Sequence, residues 1–423
     1  MTTLLNSQKS AMMQGLEKKE VLVVGGGIAG ITAASQLSSL GIKVLLIEKD
    51  HFIGGRGARL TCKATSHCMK CNYCLVEDAL RQLSETSNIA IKTLTSIHRL
   101  KKSKKGFEVT LIENPRVIDP ERCTDCGKCL ELCPYKGKGA ILTAPSANIQ
   151  PFYSIDPQVC GCRDPRPCEE ACPHRAIDFE RHQEELSYKC HGIVLATGFT
   201  PYDPSGESRY GRGRIKNIIT ALELEEMLRG DEHFSPLNGT KKAKVAFVQC
   251  VGSRNPKIQR DYCSRVCCGY AIRMALRLLE SQPDLDITFF YMDVQNFGKD
   301  FQKYFFGAKE KLKFIRGLPG DYYQVGKEKV RVSFYHREKA KTVVEDFHLV
   351  VLSVGIGPNE EAIATLGEPL GVEVDDMGFF VVPQGIEGIV AAGTSTGPMD
   401  VAETISSAKA SALNLANYLS HLD

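Results

Sequence analysis

The stretch Val21–Glu48 constrains the fold of this chain more than any other. Four apolar residues precede Gly25-Gly26-Gly27, and Gly30 completes G-x-G-x-x-G before residues at helical spacing and a second apolar run. Such glycines between a strand and a helix let backbone N–H groups hold a pyrophosphate. Glu48 follows Gly27 by 21 residues, where a carboxylate can bind a ribose hydroxyl and would repel a 2′-phosphate. The sequence therefore predicts a site for FAD or NAD rather than NADP.

The composition is that of a soluble globular protein with more than one domain. The chain has 423 residues, 17 cysteines and a net charge of +3, which gives no indication of a nucleic-acid partner. Residues 1–20 contain no apolar core of a signal peptide, and no run of 18 apolar residues predicts a membrane span. Cysteines in such a context indicate metal or redox chemistry in a reducing compartment, and we expect the cytoplasm.

The order of the motifs predicts an α/β chain with an insertion. About seventy residues with eight cysteines separate the strand-like run Phe107–Glu113 from the next one, Glu185–Cys190, as a metal-held module would. A second α/β unit follows, and its last strand is predicted over Val343–Val354. The predicted parts are an extension 1–18, an FAD-binding domain in three parts (19–114, 183–238 and 356–423), a ferredoxin-like module 115–182, and a second α/β lobe 239–355.

Two cysteine blocks fall within the predicted module. The first, Cys123-x2-Cys126-x2-Cys129-x3-Cys133-Pro134, has the spacing that wraps a [4Fe–4S] cube, whereas zinc sites usually pair two distant C-x2-C knuckles. The second block fits only at its C-x3-C-P end, so a distorted or empty site is the alternative there. Eight cysteines still suit two clusters with exchanged fourth ligands: Cys123, Cys126 and Cys129 with Cys172, and Cys160, Cys162 and Cys168 with Cys133.

A third set, Cys250-x12-Cys263-x3-Cys267-Cys268, follows the predicted strand Lys244–Gln249. A second nucleotide-binding domain would carry its glycine fingerprint there, and none is present, so we expect no nicotinamide cofactor in this lobe. Four buried, inert cysteines are the alternative. Adjacent cysteines at a helix N-terminus, where thiolates are favoured, argue for a metal site instead.

The fourth set, Cys62-x5-Cys68-x2-Cys71-x2-Cys74, follows Gly54-Gly55 and leaves three interpretations open. It could bind a cluster, form a flavin-linked dithiol/disulfide through Cys71 and Cys74, or bind zinc. The seventeenth cysteine, Cys190, lies in a predicted strand, where we expect packing only.

The segment FVQCVGSRNPKIQRDYCSRVCCGYAIRMAL resembles the cluster-binding signature of the A-subunit family of heterodisulfide reductase. The same family pattern covers VLVVGGGIAGITAA, GGRGARL, the inserted module, VLATGF and AAGTSTGPMDVAETISSAKASA, and so spans about 20–420. The resemblance implies a thioredoxin-reductase-like core that binds FAD, with a core cluster on Cys250, Cys263, Cys267 and Cys268. The family's FAD residues fall on Gly25, Gly27, Gly30, Glu48, Gly54, Gly55, Arg56, Thr197, Gly198, Gly393, Thr394, Asp400 and Val401.

The resemblance also implies partners. The family's N-terminal cluster domain and the C-terminal ferredoxin domain of methanogen members are expected to be absent, and Cys62–Cys74 is richer in cysteine than the single C-x2-C of the family. The short form resembles the A subunit of the bacterial sulfur-oxidising, heterodisulfide-reductase-like complex, which is linked to lipoate-binding proteins. It implies a homodimeric electron-transfer subunit with FAD and two to four [4Fe–4S] clusters, other subunits as partners, and no catalytic residue of its own. Electron bifurcation, which is attributed to methanogen members, stays open because the extra electron-carrying domains are expected to be absent.

Two other functions stay open from the sequence. One is a self-sufficient NAD(P)H-dependent flavoprotein disulfide reductase that uses Cys71 and Cys74 as its redox pair. The other is a non-catalytic electron-transfer scaffold.

Overall fold

The computed structural model describes residues 15–103, 105–144, 153–162, 166–229, 237, 240, 242–295 and 300–422. The α-helices are α1 Ile28–Ser38, α2 Gly55–Ala58, α3 Tyr73–Ser84, α4 Lys128–Leu132, α5 Pro167–Glu170, α6 Ala221–Arg229, α7 Cys267–Ser281, α8 Phe301–Lys311, α9 Glu360–Leu370 and α10 Val401–Ser420. The strands are β1 Glu20–Val24, β2 Lys43–Ile47, β3 Ile89–Lys92, β4 Thr95–Ser103, β5 Gly106–Glu113, β6 Ile141–Thr143, β7 Tyr153–Ile155, β8 Glu184–Cys190, β9 Gly192–Leu195, β10 Thr200–Pro201, β11 Ile218–Thr220, β12 Lys244–Val251, β13 Asp286–Tyr291, β14 Lys313–Arg316, β15 Asp321–Val325, β16 Lys329–His336, β17 Lys341–Phe347, β18 Leu349–Val354, β19 Ile356–Gly357, β20 Glu373–Val374, β21 Phe380–Val381 and β22 Ile389–Ala391.

A five-stranded parallel sheet carries the glycine motif. Its order is β22-β9-β1-β2-β3, so segments far apart in sequence end at one carboxyl edge. Its strands are apolar on both sides because both faces are covered. Val21 and Val23 pack with α1 and α10, whereas Leu22 packs with Phe107 and Val109 of the antiparallel β4-β5-β8 sheet.

The second lobe is a separate parallel sheet with the order β11-β18-β12-β13-β14. Phe247 and Phe289 pack under α7 on one face, and their rings stack at 4.8 Å. Phe290 lies on the opposite face and packs against Phe347 of the antiparallel β15-β16-β17 sheet, which covers that face. This arrangement puts the start of α7 at the carboxyl end of β12.

The inserted segment leaves and returns at one end of a hairpin. Strand β5 pairs with β8 from Phe107↔Cys190 to Glu113↔Glu184, so residues 114–183 replace the hairpin turn. Their buried core is small and includes two of the module's cysteines, Cys133 and Cys168. A core of this size calls for a further source of stability, as bound metal supplies in small domains.

The predicted single strand over Val343–Val354 is wrong. The run divides at His348 into β17, which pairs antiparallel with β16, and β18, which lies between β11 and β12 in the parallel sheet. The backbone N–H of His348 donates to the Lys244 carbonyl (2.8 Å) and its Nδ1 accepts from the Lys244 N–H (3.0 Å). These two hydrogen bonds hold His348 beside the start of β12. At His348 the chain passes from the antiparallel β15-β16-β17 sheet to the parallel sheet of the second lobe.

Among the described residues, no helix combines the length and the apolar character that crossing a membrane requires.

Candidate functional site

A glycine cradle lies between β1 and α1. Gly25 has a φ of +108°, and a Cβ at Gly30 would lie 1.8 Å from the Gly25 carbonyl oxygen, so α1 can approach the strand only with glycine there. Gly27 is the N-cap of α1, and a Cβ at Gly27 would meet nothing within 4 Å. The backbone at the positive end of α1 is therefore open to an anionic ligand, as a pyrophosphate requires.

Glu48 lies at the end of β2 beside this cradle and is 9% exposed. Its Oε2 accepts the N–H of Gly26 at 2.7 Å, and its Oε1 accepts the N–H of Asp50 at 2.9 Å. Burial raises the pKa of Glu48, and these backbone N–H groups act in the opposite direction. The carboxylate is thus fixed next to the glycine turn, where a ribose hydroxyl could donate to it.

Residues after β2 and β9 complete the edge. Gly54 bridges to Gly27, and its N–H donates to the Gly26 carbonyl at 2.7 Å. The Arg56 guanidinium lies 5.4 Å from the centre of the Phe199 ring. Thr197 Oγ1 is buried and has no hydrogen-bond partner among the described residues, which leaves it available to a ligand.

The last part of the edge is the start of α10. A Cβ at Gly198 would lie 4.0 Å from Thr394 Oγ1, and Gly393 has a φ of +69°. Asp400 is the N-cap of α10 and forms a capping box with Glu403: Asp400 Oδ1 accepts the Glu403 N–H (2.8 Å), and Glu403 Oε2 accepts the Asp400 N–H (3.0 Å). The helix therefore presents its positive end, beginning at Val401, from a rigid cap.

In the module, four thiols line one cavity. The structure brings Cys172, from the second block, to the three cysteines of the first. Its Sγ accepts the Ala176 N–H at 3.3 Å. Tyr153 and His174 also line the cavity, and the sequence pattern gave no signal for Tyr153. The four cysteines are Cys123, Cys126, Cys129 and Cys172.

The other four module cysteines also lie near one another. Burial raises the pKa of Cys168 to about 11, and the thiols of Cys160, Cys133 and Cys162 add to this increase. Burial and the Cys160 and Cys133 thiols likewise raise the pKa of Cys162. Thiols in this state lose their protons when a metal centre supplies the compensating positive charge.

No three His, Cys, Asp or Glu side chains of the described chain are placed to bind a single metal ion. In a [4Fe–4S] cube each thiolate instead binds a different iron.

The third cysteine set is also brought together. Cys250 has a φ of +58° at an irregularity of β12, and Cys267 and Cys268 open α7, as the sequence predicted. Burial raises the pKa of Cys250 to about 12, and the Cys268 and Cys263 thiols contribute. Burial also raises the pKa of Cys267 and of Cys268 at the start of α7, so it outweighs the effect of the helix N-terminus that the sequence led us to expect.

The equivalent edge of the second lobe is filled by side chains of the chain itself. A Cβ at Gly252 would lie 1.9 Å from the Tyr202 ring, which therefore packs directly on that backbone. Arg254 forms a two-point ion pair with Asp293, with an Nη2–Oδ2 distance of 3.1 Å. These contacts lie beside the carboxyl end of β12, where a second dinucleotide-binding domain would carry its glycine turn.

Arg265 links the third cysteine set to the start of α10. Its N–H donates to Cys263 Sγ (3.3 Å), and its guanidinium donates to the Pro398 carbonyl (3.2 Å) and to Glu403 Oε1 (2.6 Å). Sequence reasoning missed this residue, although its place between Cys263 and Cys267 was a usable signal. The two candidate cofactor sites therefore adjoin through one cation.

The remaining cysteines differ in their surroundings. In the fourth set Cys62, Cys68 and Cys74 are exposed and Cys71 is half-buried. Cys190 is 3% exposed and packs among the apolar residues between the two sheets of the first domain, which confirms that it is a packing residue.

Two known families match parts of the chain. Residues 20–123 match the family described as FAD dependent oxidoreductase, and residues 116–136 match the 4Fe-4S binding domain. The fold and its sites thus define an FAD-dependent oxidoreductase that also carries [4Fe–4S] clusters.

Relatives of known function specify the family. The chain is 32% identical to the A subunit of the H(2):CoB-CoM heterodisulfide,ferredoxin reductase of Methanothermobacter marburgensis, over 96% of this chain and 66% of the relative. It is equally identical to the second iron-sulfur A subunit of the CoB-CoM heterodisulfide reductase of Methanopyrus kandleri, over 97% of this chain and 67% of the relative. The chain belongs to the A-subunit family of heterodisulfide reductase. It spans about two thirds of the length of these relatives.

Solved structures confirm the predicted fold. Thioredoxin reductase of T. acidophilum aligns with a TM-score of 0.54 at 16% identity, over 95% of this chain and 99% of that one. Thioredoxin reductase of Lactococcus lactis aligns with a TM-score of 0.53 at 15% identity, over the same shares. At such identities the likeness concerns the fold alone.

Proposed function

We propose that this chain is the FAD and iron–sulfur electron-transfer subunit of a heterodisulfide-reductase-like complex that acts on sulfur compounds. The FAD would lie along the carboxyl edge of the first sheet, where the glycine cradle, the buried Glu48 and the unpartnered Thr197 hydroxyl converge. The proposed FAD contacts are Gly25, Gly27, Gly30, Glu48, Gly54, Gly55, Arg56, Thr197, Gly198, Gly393, Thr394, Asp400 and Val401.

The proposed clusters follow the thiols that lie together. One would be held by Cys123, Cys126, Cys129 and Cys172, which share a cavity. A second would be held by Cys133, Cys160, Cys162 and Cys168, and a core cluster by Cys250, Cys263, Cys267 and Cys268. Backbone N–H groups that donate to sulfur, as those of Ala176 and Arg265 do, are among the groups that tune such clusters.

The Arg265 contacts carry the proposal. FAD exchanges one or two electrons whereas each cluster carries one, so a flavin beside a cluster can convert between thiol/disulfide chemistry and one-electron transfer. Arg265 holds the loop of Cys263 against Glu403, which fixes the core thiols relative to the positive end of α10. The guanidinium charge there would stabilise added negative charge on either side.

We further propose that sulfur substrates, as thiol/disulfide or sulfane sulfur, react on partner subunits, and that a lipoate-binding protein is one such partner. A homodimer would be the form in which the chain enters the complex. None of the 17 cysteines forms a disulfide in this structure, which suits a reducing compartment such as the cytoplasm.

The proposal predicts which reductant the flavin accepts. For the anaerobically purified protein, we expect NADH and NADPH to leave the flavin absorbance unchanged. The reason is that side chains of Tyr202, Arg254 and Asp293 lie beside the carboxyl end of β12, where a nicotinamide dinucleotide would otherwise bind. A reduced low-potential ferredoxin should reduce both flavin and clusters, as followed by absorbance and EPR. A thioredoxin reductase in the same buffer is the positive control for NADPH. Rapid bleaching of the flavin by NAD(P)H would favour the self-sufficient disulfide reductase instead.

Iron analysis of cysteine variants tests whether the two module clusters exchange their fourth ligands, Cys172 and Cys133. Cys172→Ala should remove about four irons per FAD. The double variant Cys172→Ala/Cys123→Ala should lose no more, because both residues serve one cluster. Cys172→Ala/Cys160→Ala should lose about eight, as two clusters disappear. Iron and acid-labile sulfide per FAD are measured, with Cys190→Ala as control. Equal losses in the two double variants would contradict the exchange of ligands.

A further inference from the structure

The exposed fourth cysteine set repeats the local backbone conformation of the first module loop. Cys68-x2-Cys71-x2-Cys74 has the same spacing as Cys123-x2-Cys126-x2-Cys129. Among iron–sulfur proteins, this spacing supplies three ligands of one [4Fe–4S] cube. The two segments lie in unrelated parts of the fold, one before α3 and the other in the inserted module.

Left-handed residues fall at the same places in the two loops. Lys70 (φ +50°) and Asp125 (φ +55°) each stand two residues after the first cysteine. Asn72 (φ +63°) and Gly127 (φ +74°) each stand one residue after the second cysteine. A left-handed backbone is uncommon for residues with a Cβ, so its use at both Lys70 and Asn72 indicates a constraint on the path of this segment.

The ends of the two loops also agree. Asn72 is the N-cap of α3 and Gly127 is the N-cap of α4, so the third cysteine, Cys74 or Cys129, is the second residue of each helix. In both loops an N–H contacts the first sulfur: Lys70 N–H donates to Cys68 Sγ at 3.5 Å, and the Asp125 N–H hydrogen-bonds Cys123. The loops thus share spacing, backbone conformation, helix start and sulfur hydrogen bond.

The second lobe holds this segment in place with side chains of α7 and α8. Arg273 Nε donates to the Met69 carbonyl at 2.8 Å, Arg277 Nη1 to the Ala64 carbonyl at 3.0 Å, and the Tyr304 hydroxyl to the Cys68 carbonyl at 3.0 Å. The half-buried Arg273 lies within electrostatic range of the Cys68 and Cys71 thiols. The positive charge of Arg273 would offset part of the negative charge of a cluster held by four thiolates.

We propose that Cys62, Cys68, Cys71 and Cys74 bind a further [4Fe–4S] cluster at the surface of the chain. Three of the four thiols are exposed, so the cluster would lie at the boundary with solvent, unlike the buried core set. Such a position suits exchange of single electrons with a carrier protein. The inference concerns this segment alone and does not depend on the ligation of the module or core clusters.

Metal analysis of ligand variants tests the proposal. Relative to the anaerobically purified wild type, Cys68→Ala/Cys71→Ala should lose about four irons and four sulfides per FAD while keeping its flavin absorbance. Cys190→Ala, which removes a buried cysteine outside all four sets, should lose none. Unchanged iron in the double variant would overturn the proposal, as would the loss of one zinc per chain. If the wild type contains iron but the double variant loses none of it, this inference is refuted, whereas the proposed function, which rests on the module and core clusters, is not.

Backbone variants give a second readout that keeps every cysteine. Asn72→Gly retains access to the left-handed conformation and should keep the full iron content. Asn72→Val places a β-branched side chain where φ is +63°, and should lose the same iron as the cysteine variant with FAD unchanged. Equal iron contents in these two variants would show that the loop conformation does not serve a cluster.

Discussion

Replacing Gly30 by alanine is expected to abolish retention of FAD. The added Cβ would lie 1.8 Å from the Gly25 carbonyl oxygen and 3.0 Å from its carbonyl carbon, which are backbone atoms with no side-chain freedom. Helix α1 would have to move away from β1, and the glycine turn would open. Overpacking of this kind costs about 3 kcal/mol, which corresponds to roughly a 100-fold loss of affinity if it falls on binding.

Two other glycines provide matched comparisons. Gly27→Ala meets no atom within 4 Å, and Gly27 has an ordinary φ of −76°, so the protein without FAD should keep its stability while the methyl group obstructs the approach of the pyrophosphate. Gly206→Ala also meets nothing and lies away from the cradle, so it should change neither property. FAD per chain after gel filtration and the circular dichroism spectrum are measured. A Gly30→Ala protein with full FAD would refute the proposed cradle.

The parts of the fold that local signals determine are predictable from the sequence. The unit from β1 to β2 is an example, because its apolar runs, its glycines and its helical period all lie within thirty residues. Helix α6, Ala221–Arg229, is another, because its apolar residues recur at helical spacing within nine residues. The capping box of Asp400 and Glu403 is equally local, since D-x-x-E before a long apolar-periodic run predicts it.

Features that depend on distant partners could not be predicted in this way. The break at His348 follows from its contacts with Lys244, 104 residues away, and the apolar pattern runs through it without interruption. Arg265 and Glu403 are 138 residues apart. The positive φ angles of Lys70 and Asn72 could not be predicted for another reason. Both residues carry a Cβ, and the sequence indicates a positive φ mainly where it has glycine.

The ion pair of Lys63 and Glu225 is a third long-range feature and supports the segment that carries Cys62. It joins this segment to α6, and the two side chains are only 5% and 6% exposed. Glu225 Oε1 also accepts the Thr61 N–H at 2.6 Å and the Thr61 hydroxyl at 3.0 Å, and Lys63 Nζ donates to the Thr61 carbonyl at 2.7 Å. The buried charges are therefore both paired and hydrogen-bonded, as such charges require.

Lys63→Met should strongly destabilise the protein because it leaves the Glu225 carboxylate buried without a cation. Removing one partner of a buried pair costs about 3–5 kcal/mol, which should appear as a lower midpoint of urea unfolding under anaerobic conditions. Lys63→Met/Glu225→Gln should recover most of this loss, since the amide oxygen of glutamine still accepts from Thr61 and no charge remains buried.

The surface pair of Lys49 and Glu361 is the matched control. Its side chains are 50% and 71% exposed, so Glu361→Gln should change the free energy of unfolding by less than about 0.5 kcal/mol. A wild-type midpoint for Lys63→Met would mean that water reaches the pair. A double variant no more stable than Lys63→Met alone would show that Lys63 acts through the packing of its alkyl chain. Recovery in the double variant alone identifies the uncompensated charge as the cause, because both variants share the methionine.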